Sequence, residues 1–134
     1  MKTIGIGVDI IDNLRIKKLI KNNLFLNRIF TKKEILLSRK IINKSAYFAK
    51  RFAAKEAFSK SLGTGFRNGL SFKDISIIND KLGKPSFYIN DKLNSLIKKK
   101  FIIKKFNFLL SISDEKKYSL AFVIFQKLWG LIKI

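Results

Sequence analysis

Apolar residues alternate with polar or glycine positions at the start of the chain. Ile4, Ile6, Val8 and Ile10 share one face of a predicted strand over residues 3–10, and Thr3, Gly5, Gly7 and Asp9 share the other. The glycines clear space on the side from which Asp9 projects, as a strand does where something must approach closely. Asp12 then predicts the N-cap of a basic helix carrying Leu14, Arg15, Lys18 and Ile20, and Thr31 with Glu34 predicts a capping box. Residues 45–62 give the strongest helical pattern, with Ser45 as N-cap and Gly63 as the stop. Two strands, 70–78 and 86–89, are expected around a turn at 79–83. A helix is expected over 91–99, then a second hairpin of strands 108–113 and 118–125. This order predicts an α+β fold with a long helix packed on a mainly antiparallel sheet.

With 134 residues, the chain fits one domain with one core. It has neither Cys nor His. Disulfides, thiolate chemistry, Ser/His triads and His-based zinc sites are therefore excluded. No apolar stretch approaches the ~18 residues of a spanning helix, and the first one is too short for a signal peptide. The cytoplasm is the expected location. The net charge of +20 admits a basic nucleic-acid-binding domain as an alternative function. Lys, however, outnumbers Arg 24 to 5, and Ile, Asn and Phe are abundant. That profile fits an AT-rich coding sequence better than a base reader, which would lean on Arg.

Two of the nine acidic residues stand apart because they sit in apolar segments. Asp9 lies in Gly7-Val-Asp-Ile-Ile11, and Glu56 lies on the long helix between Phe52 and the Ala49/Ala53 side. An ionised carboxylate is costly to bury without a cation or hydrogen bonds, so the pair points to a hard metal ion, most simply Mg²⁺. The bland alternative for Glu56 is an ion pair with Lys60 at i+4. Gly63-Thr-Gly65 is a helix stop or a tight turn beside a phosphate-bearing ligand, and it is not a Walker motif. The Phe residues read as core.

Gly7-Val-Asp9-Ile-Ile-Asp-Asn-Leu-Arg15, Arg51-Phe-Ala-Ala-Lys-Glu56-Ala-Phe-Ser-Lys60, Gly63-Thr-Gly65, Asn79-Asp-Lys-Leu-Gly83-Lys84-Pro85 and Leu110-Ser-Ile-Ser-Asp114-Glu115 together resemble the holo-[acyl-carrier-protein] synthases. These are the small bacterial branch of the 4′-phosphopantetheinyl transferases. The resemblance covers about residues 3–125, so residues 1–125 read as a transferase domain and 126–134 as a tail of unassigned role. It implies transfer of the 4′-phosphopantetheine arm of coenzyme A to a serine of acyl carrier protein, releasing adenosine 3′,5′-bisphosphate, in fatty acid synthesis. Asp9 and Glu56 would hold Mg²⁺ against the pyrophosphate, and Lys60 would meet the pyrophosphate itself. Arg51, Gly63, Gly65, Lys84, Pro85 and Asp114 would belong to the coenzyme A site. Arg15, supported by Lys17, Lys18 and Lys21, would dock the acidic carrier protein. The serine proton would go to a metal-bound water or to Glu56. Much of the family has His where this chain has Asp114. Joint retention of Asp9, Glu56 and Lys60 speaks against a degenerate member that binds without catalysis. A homotrimer is implied as well. Arg51 and Glu56 lie roughly 140° apart around the helix, which suits service in two different sites.

Overall fold

The computed structural model describes residues 1–63 and 71–129. Its first strand, β1 (Lys2–Asp12), leads into α1 (Asn13–Leu19), α2 (Asn23–Ile29), α3 (Lys32–Ser38) and the long α4 (Lys44–Leu62). A single 3-10 turn (Phe72–Asp74) precedes the hairpin of β2 (Ile75–Asn79) and β3 (Pro85–Ile89). Helix α5 (Asp91–Phe101) then connects to a second hairpin, β4 (Phe106–Asp114) and β5 (Tyr118–Lys127). Among the described residues, β1, β5 and β4 form one antiparallel sheet in that order, and β2–β3 forms a second, two-stranded sheet. This is the expected α+β arrangement, with α4 lying against β1 and β5.

The local chemistry explains most boundaries. Asp12 Oδ1 accepts from Leu14 N at 2.9 Å, and the Thr31–Glu34 capping box is complete. Helix α4 starts one residue before the expected 45, because Asn43 is its N-cap. Asn43 Oδ1 accepts from Ala46 N at 3.1 Å, while the Ser45 hydroxyl donates to that same oxygen. Gly63 ends the helix at φ +79°, as expected. Strand β2 begins at Ile75 rather than near 70, because Ser71 and Asp74 cap the 3-10 turn ahead of it. Helix α2 is an addition to the sequence-based expectation, capped by Asn22. Strand β5 continues through Lys127, so the first residues of the expected tail complete the sheet.

The two glycines of β1 admit the backbone of α4. A Cβ on Gly5 would lie 1.8 Å from Ser61 O, and one on Gly7 would lie 1.8 Å from Ala57 O. The partner for which the strand is cleared is therefore the helix, and this contact brings Asp9 to the C-terminal half of α4.

One buried ion pair ties the helical layer together. Lys55 is fully buried, and its Nζ donates to Glu34 Oε1 at 2.6 Å, Ile29 O at 2.9 Å and Phe72 O at 3.1 Å. Glu34 also accepts from Thr31 N and Ile77 N, both at 3.0 Å. Burial lowers the Lys55 pKa while Glu34 opposes the shift, and every ammonium proton is used. Lys55→Met therefore strands a buried carboxylate. It is expected to lower stability by about 3–5 kcal/mol in urea unfolding, whereas Lys50→Met on the same helix leaves the midpoint nearly unchanged.

Candidate active site

Asp9 sits opposite Ala121 in the β1–β5 register, and that small partner belongs to the core under α4. The Asp9 side chain is 14% exposed, and its Oδ1 lies 3.0 Å from Lys60 Nζ. Lys60 Nζ also donates to Val8 O at 3.1 Å. The observed ion pair of Lys60 is thus with Asp9 across the strand–helix seam, not with Glu56 along the helix. The second oxygen, Asp9 Oδ2, is buried with no hydrogen-bond partner.

Glu56 is half-buried one turn before Lys60. Burial raises its pKa, the Asp9 charge raises it further, and Lys60 and Arg15 act in the opposite direction. Strand β1, helix α4 and helix α1 therefore bring Asp9, Glu56, Lys60 and Arg15 within electrostatic reach of one another. Arg15 is held there by the start of α1. Asn13 Nδ2 donates to Glu115 O and Lys116 O, and Ser119 Oγ donates to Asn13 Oδ1. Arg15, Lys17, Lys18 and Lys21 are all exposed.

Two mutually repelling carboxylates, one with an orphaned buried oxygen, match the needs of Mg²⁺. That ion takes one or two protein carboxylates and completes its shell with water and substrate phosphates. Among the described residues no cluster of three or more His, Cys, Asp or Glu exists, so this chain would leave most of the shell to others.

Arg51 points elsewhere. It lines a cleft of about 900 Å³ together with Lys40, Lys50, Asn79, Pro85 and Asp114. None of Asp9, Glu56 and Lys60 borders this cleft. Lys84 lies just outside it in the β2–β3 turn, which Asp80 closes by accepting from Leu82 N and Lys84 N. Gly63 serves as the α4 cap, and Gly65 lies outside the described residues. Lys40, Lys50 and Asn79 are absent from the sequence-based site. Lys50 adjoins the Arg51 motif and Asn79 opens the Asn79–Pro85 motif, so both signals were adjacent to residues already singled out. A second cleft of about 550 Å³, near β3 and β4, contains none of the predicted site residues.

The sequence model of the 4′-phosphopantetheinyl transferase superfamily matches residues 5–123. Holo-[acyl-carrier-protein] synthase of Pelagibacter ubique is 63% identical over 127 residues, covering 95% of this chain and 99% of that protein. The crystal structure of holo-[acyl-carrier-protein] synthase from Neisseria meningitidis superposes with a TM-score of 0.81 at 42% identity, covering 93% of this chain and 99% of that one. The Bacillus anthracis enzyme, solved in complex with CoA (3′,5′-ADP), gives 0.78 at 34% identity, covering 96% and 100%. The nucleic-acid reading finds no support among these relatives.

Proposed function

This chain belongs to the 4′-phosphopantetheinyl transferase superfamily, and on that premise we propose that it transfers the 4′-phosphopantetheine arm of coenzyme A to a serine of acyl carrier protein. Adenosine 3′,5′-bisphosphate leaves, and the product serves fatty acid synthesis. The observation that carries the site assignment is the convergence of Asp9, Glu56 and Lys60, with Asp9 Oδ2 buried and unpartnered. Incubation with coenzyme A, Mg²⁺ and apo carrier protein tests it directly. The carrier protein should gain the mass of the arm, and no gain would reject the assignment.

Asp9 and Glu56 would hold Mg²⁺, which would neutralise charge on the pyrophosphate during in-line displacement. The serine oxygen forms a bond to the phosphorus that bears the pantetheine. The bond from that phosphorus to the bridging oxygen breaks, and the nucleotide departs with the bond's electrons. Lys60, one turn beyond Glu56, supplies a cation for the departing phosphate. Glu56, whose proton affinity is raised by burial and by Asp9, is the side chain whose setting favours receipt of the serine proton. The cleft beside Arg51, with Lys40 and Lys50 on its wall, suits the phosphates of the nucleotide half.

The assembly is a homotrimer with sites shared between subunits. Two observations support it. The face of the three-stranded sheet turned away from α4 exposes Ile6, Val8 and Ile10 on β1, Leu120 and Phe122 on β5, and Leu109 on β4. Val8 pairs with Phe122, and Ile10 pairs with Leu120, in adjoining register. So contiguous an apolar face marks an interaction surface. The second observation is the separation of the Asp9–Glu56–Lys60 group from the Arg51 cleft in a single chain, which two adjoining subunits would reunite. No helix among the described residues is long and apolar enough to cross a membrane, and the proposed compartment is the cytoplasm. The transferase domain runs at least to the end of β5 at Lys127, whose pairing with Lys2 closes the sheet.

Docking of carrier protein falls to Arg15, with the field of Lys18 and Lys21 around it. Arg15→Glu should raise KM for carrier protein by about tenfold at low salt, with the effect shrinking as salt is added. KM for coenzyme A should stay nearly constant. A variant that weakens coenzyme A alone places docking elsewhere.

A further inference from the structure

A phosphate is bound most tightly by donors that are already aimed, since each side chain frozen on binding subtracts from affinity. Arg51 is held in advance. Its Cζ lies 3.5 Å from the centroid of the Tyr47 ring, one helical turn earlier on α4. Nη1 donates to Tyr47 O at 3.2 Å, and Nη2 donates to Asn79 Oδ1 at 3.1 Å. Asn79 is fixed in turn, since its Nδ2 donates to Gly83 O at 2.9 Å.

Tyr47 has little freedom of its own. It is 6% exposed, and its ring meets Phe48 edge-on at 5.0 Å. Its hydroxyl donates to Glu34 O at 2.7 Å. Glu34 is the buried partner of Lys55, so the platform beneath Arg51 is anchored in the buried Glu34–Lys55 network. A guanidinium has five N–H donors, and these contacts leave several of them uncommitted. Nε in particular is buried with no partner although Arg51 lines the cleft.

We propose that Tyr47 is a positioning residue for Arg51, its ring and carbonyl presenting the guanidinium as a preset fork to a phosphate of the bound nucleotide. The proposal deepens the function given above and rests on the nucleotide half of coenzyme A occupying the Arg51 cleft. A tyrosine that merely fills the core would act through stability. A positioning tyrosine acts through Arg51, so its effect must vanish when Arg51 is gone.

The test is a double-mutant cycle read by calorimetric binding of adenosine 3′,5′-bisphosphate and by steady-state kinetics. Tyr47→Leu should weaken nucleotide binding and raise KM for coenzyme A by about tenfold, the weight of one desolvated cation–π contact. At saturating coenzyme A, kcat should stay within about twofold, the ordinary spread of a neutral substitution. Tyr47→Phe keeps the ring and should bind within the same margin while losing thermal stability. The pair Tyr47→Leu/Arg51→Ala should bind no more weakly than Arg51→Ala alone. Equal losses from Tyr47→Leu in both backgrounds, or an equal loss from Tyr47→Phe, would overturn the proposal. Should Tyr47→Leu fail to fold, Asn79→Ala removes an exposed restraint and should weaken binding about fivefold, in the range of one hydrogen bond; unchanged binding there would also overturn it. If Arg51→Ala alone binds nucleotide as tightly as the parent, the cleft assignment itself falls, and the proposal falls with it.

Discussion

Asp9→Ala and Glu56→Ala are each expected to reduce transfer of the arm by about a thousandfold or more if they hold the proposed Mg²⁺, since a catalytic metal contributes several kcal/mol of charge stabilisation. Both variants keep the fold. Asp9→Ala releases Lys60, which is already more than half exposed and returns to solvent without strain. It also removes the like charge that disfavours ionisation of Glu56. Thermal midpoints equal to or above that of the parent are therefore expected, because loss of a repelling, partly buried charge relieves the unliganded protein. Binding of Mn²⁺, followed by its electron paramagnetic resonance signal without any turnover, should weaken in parallel in both variants. Near-normal transfer by either variant at ordinary Mg²⁺ concentration would remove these residues from the metal site.

Phe122→Asp is expected to dissociate the proposed trimer and to abolish transfer with it. Phe122 stands in the centre of the exposed sheet face, in register with Val8 on one side and Ser111 on the other. In a lone subunit the aspartate would be solvated, so the monomer folds. In the assembly it would be buried among isoleucine, valine and leucine without a cation, at a cost of several kilocalories per mole for each copy. Light scattering should report monomers. Activity should vanish although Asp9, Glu56, Lys60 and Arg51 are all present, because the two half-sites no longer meet. A fully active monomer would show that one chain contains a complete site and would refute the shared arrangement.

How much of this was legible in the sequence differed by element. Local chemistry was readable: the Asp12 cap, the Thr31–Glu34 box, the Gly63 stop and both hairpins follow from side chains close to the backbone groups they satisfy. The carboxylate pair was visible because an acid in an apolar segment violates the usual pattern. The ion pair of Lys60 with Asp9 was not, since the two residues are 51 positions apart and spacing along one helix favoured Glu56. Asn43 displaced Ser45 as the cap through a competition between two good candidates that propensity cannot rank. The cleft lysines Lys40 and Lys50 were hidden by composition, since in a chain with this many lysines position alone distinguishes a useful one from a solvated one, and Asn79 sat inside the Asn79–Pro85 motif without being singled out. The alternation in β1 holds from Gly5 onward, but a bulge between Thr3 and Gly5 turns Ile4 into the core instead of onto the face of Ile6, Val8 and Ile10. The face of Gly5 and Gly7 packs on α4, and the face of Ile6, Val8 and Ile10 is left exposed.

That close seam between strand and helix also bears on how the gene can change. Glycine and alanine codons begin with two G or C bases, and a coding sequence rich in A and T tends to lose them. The chain has lysine, isoleucine, asparagine and phenylalanine in abundance, yet at the seam it carries Gly5, Gly7 and Ala57, with Ala121 opposite Asp9 and Ala49, Ala53 and Ala54 buried along the same helix. Every alanine except Ala46 is completely buried. At Gly5 and Gly7 a single added methyl would meet helix backbone rather than a side chain able to move aside. A solvated surface accommodates lysine freely, but the touching backbones at Gly5 and Gly7 do not accommodate any side chain, and that seam sets the distance between Asp9 and the helix that carries Glu56 and Lys60.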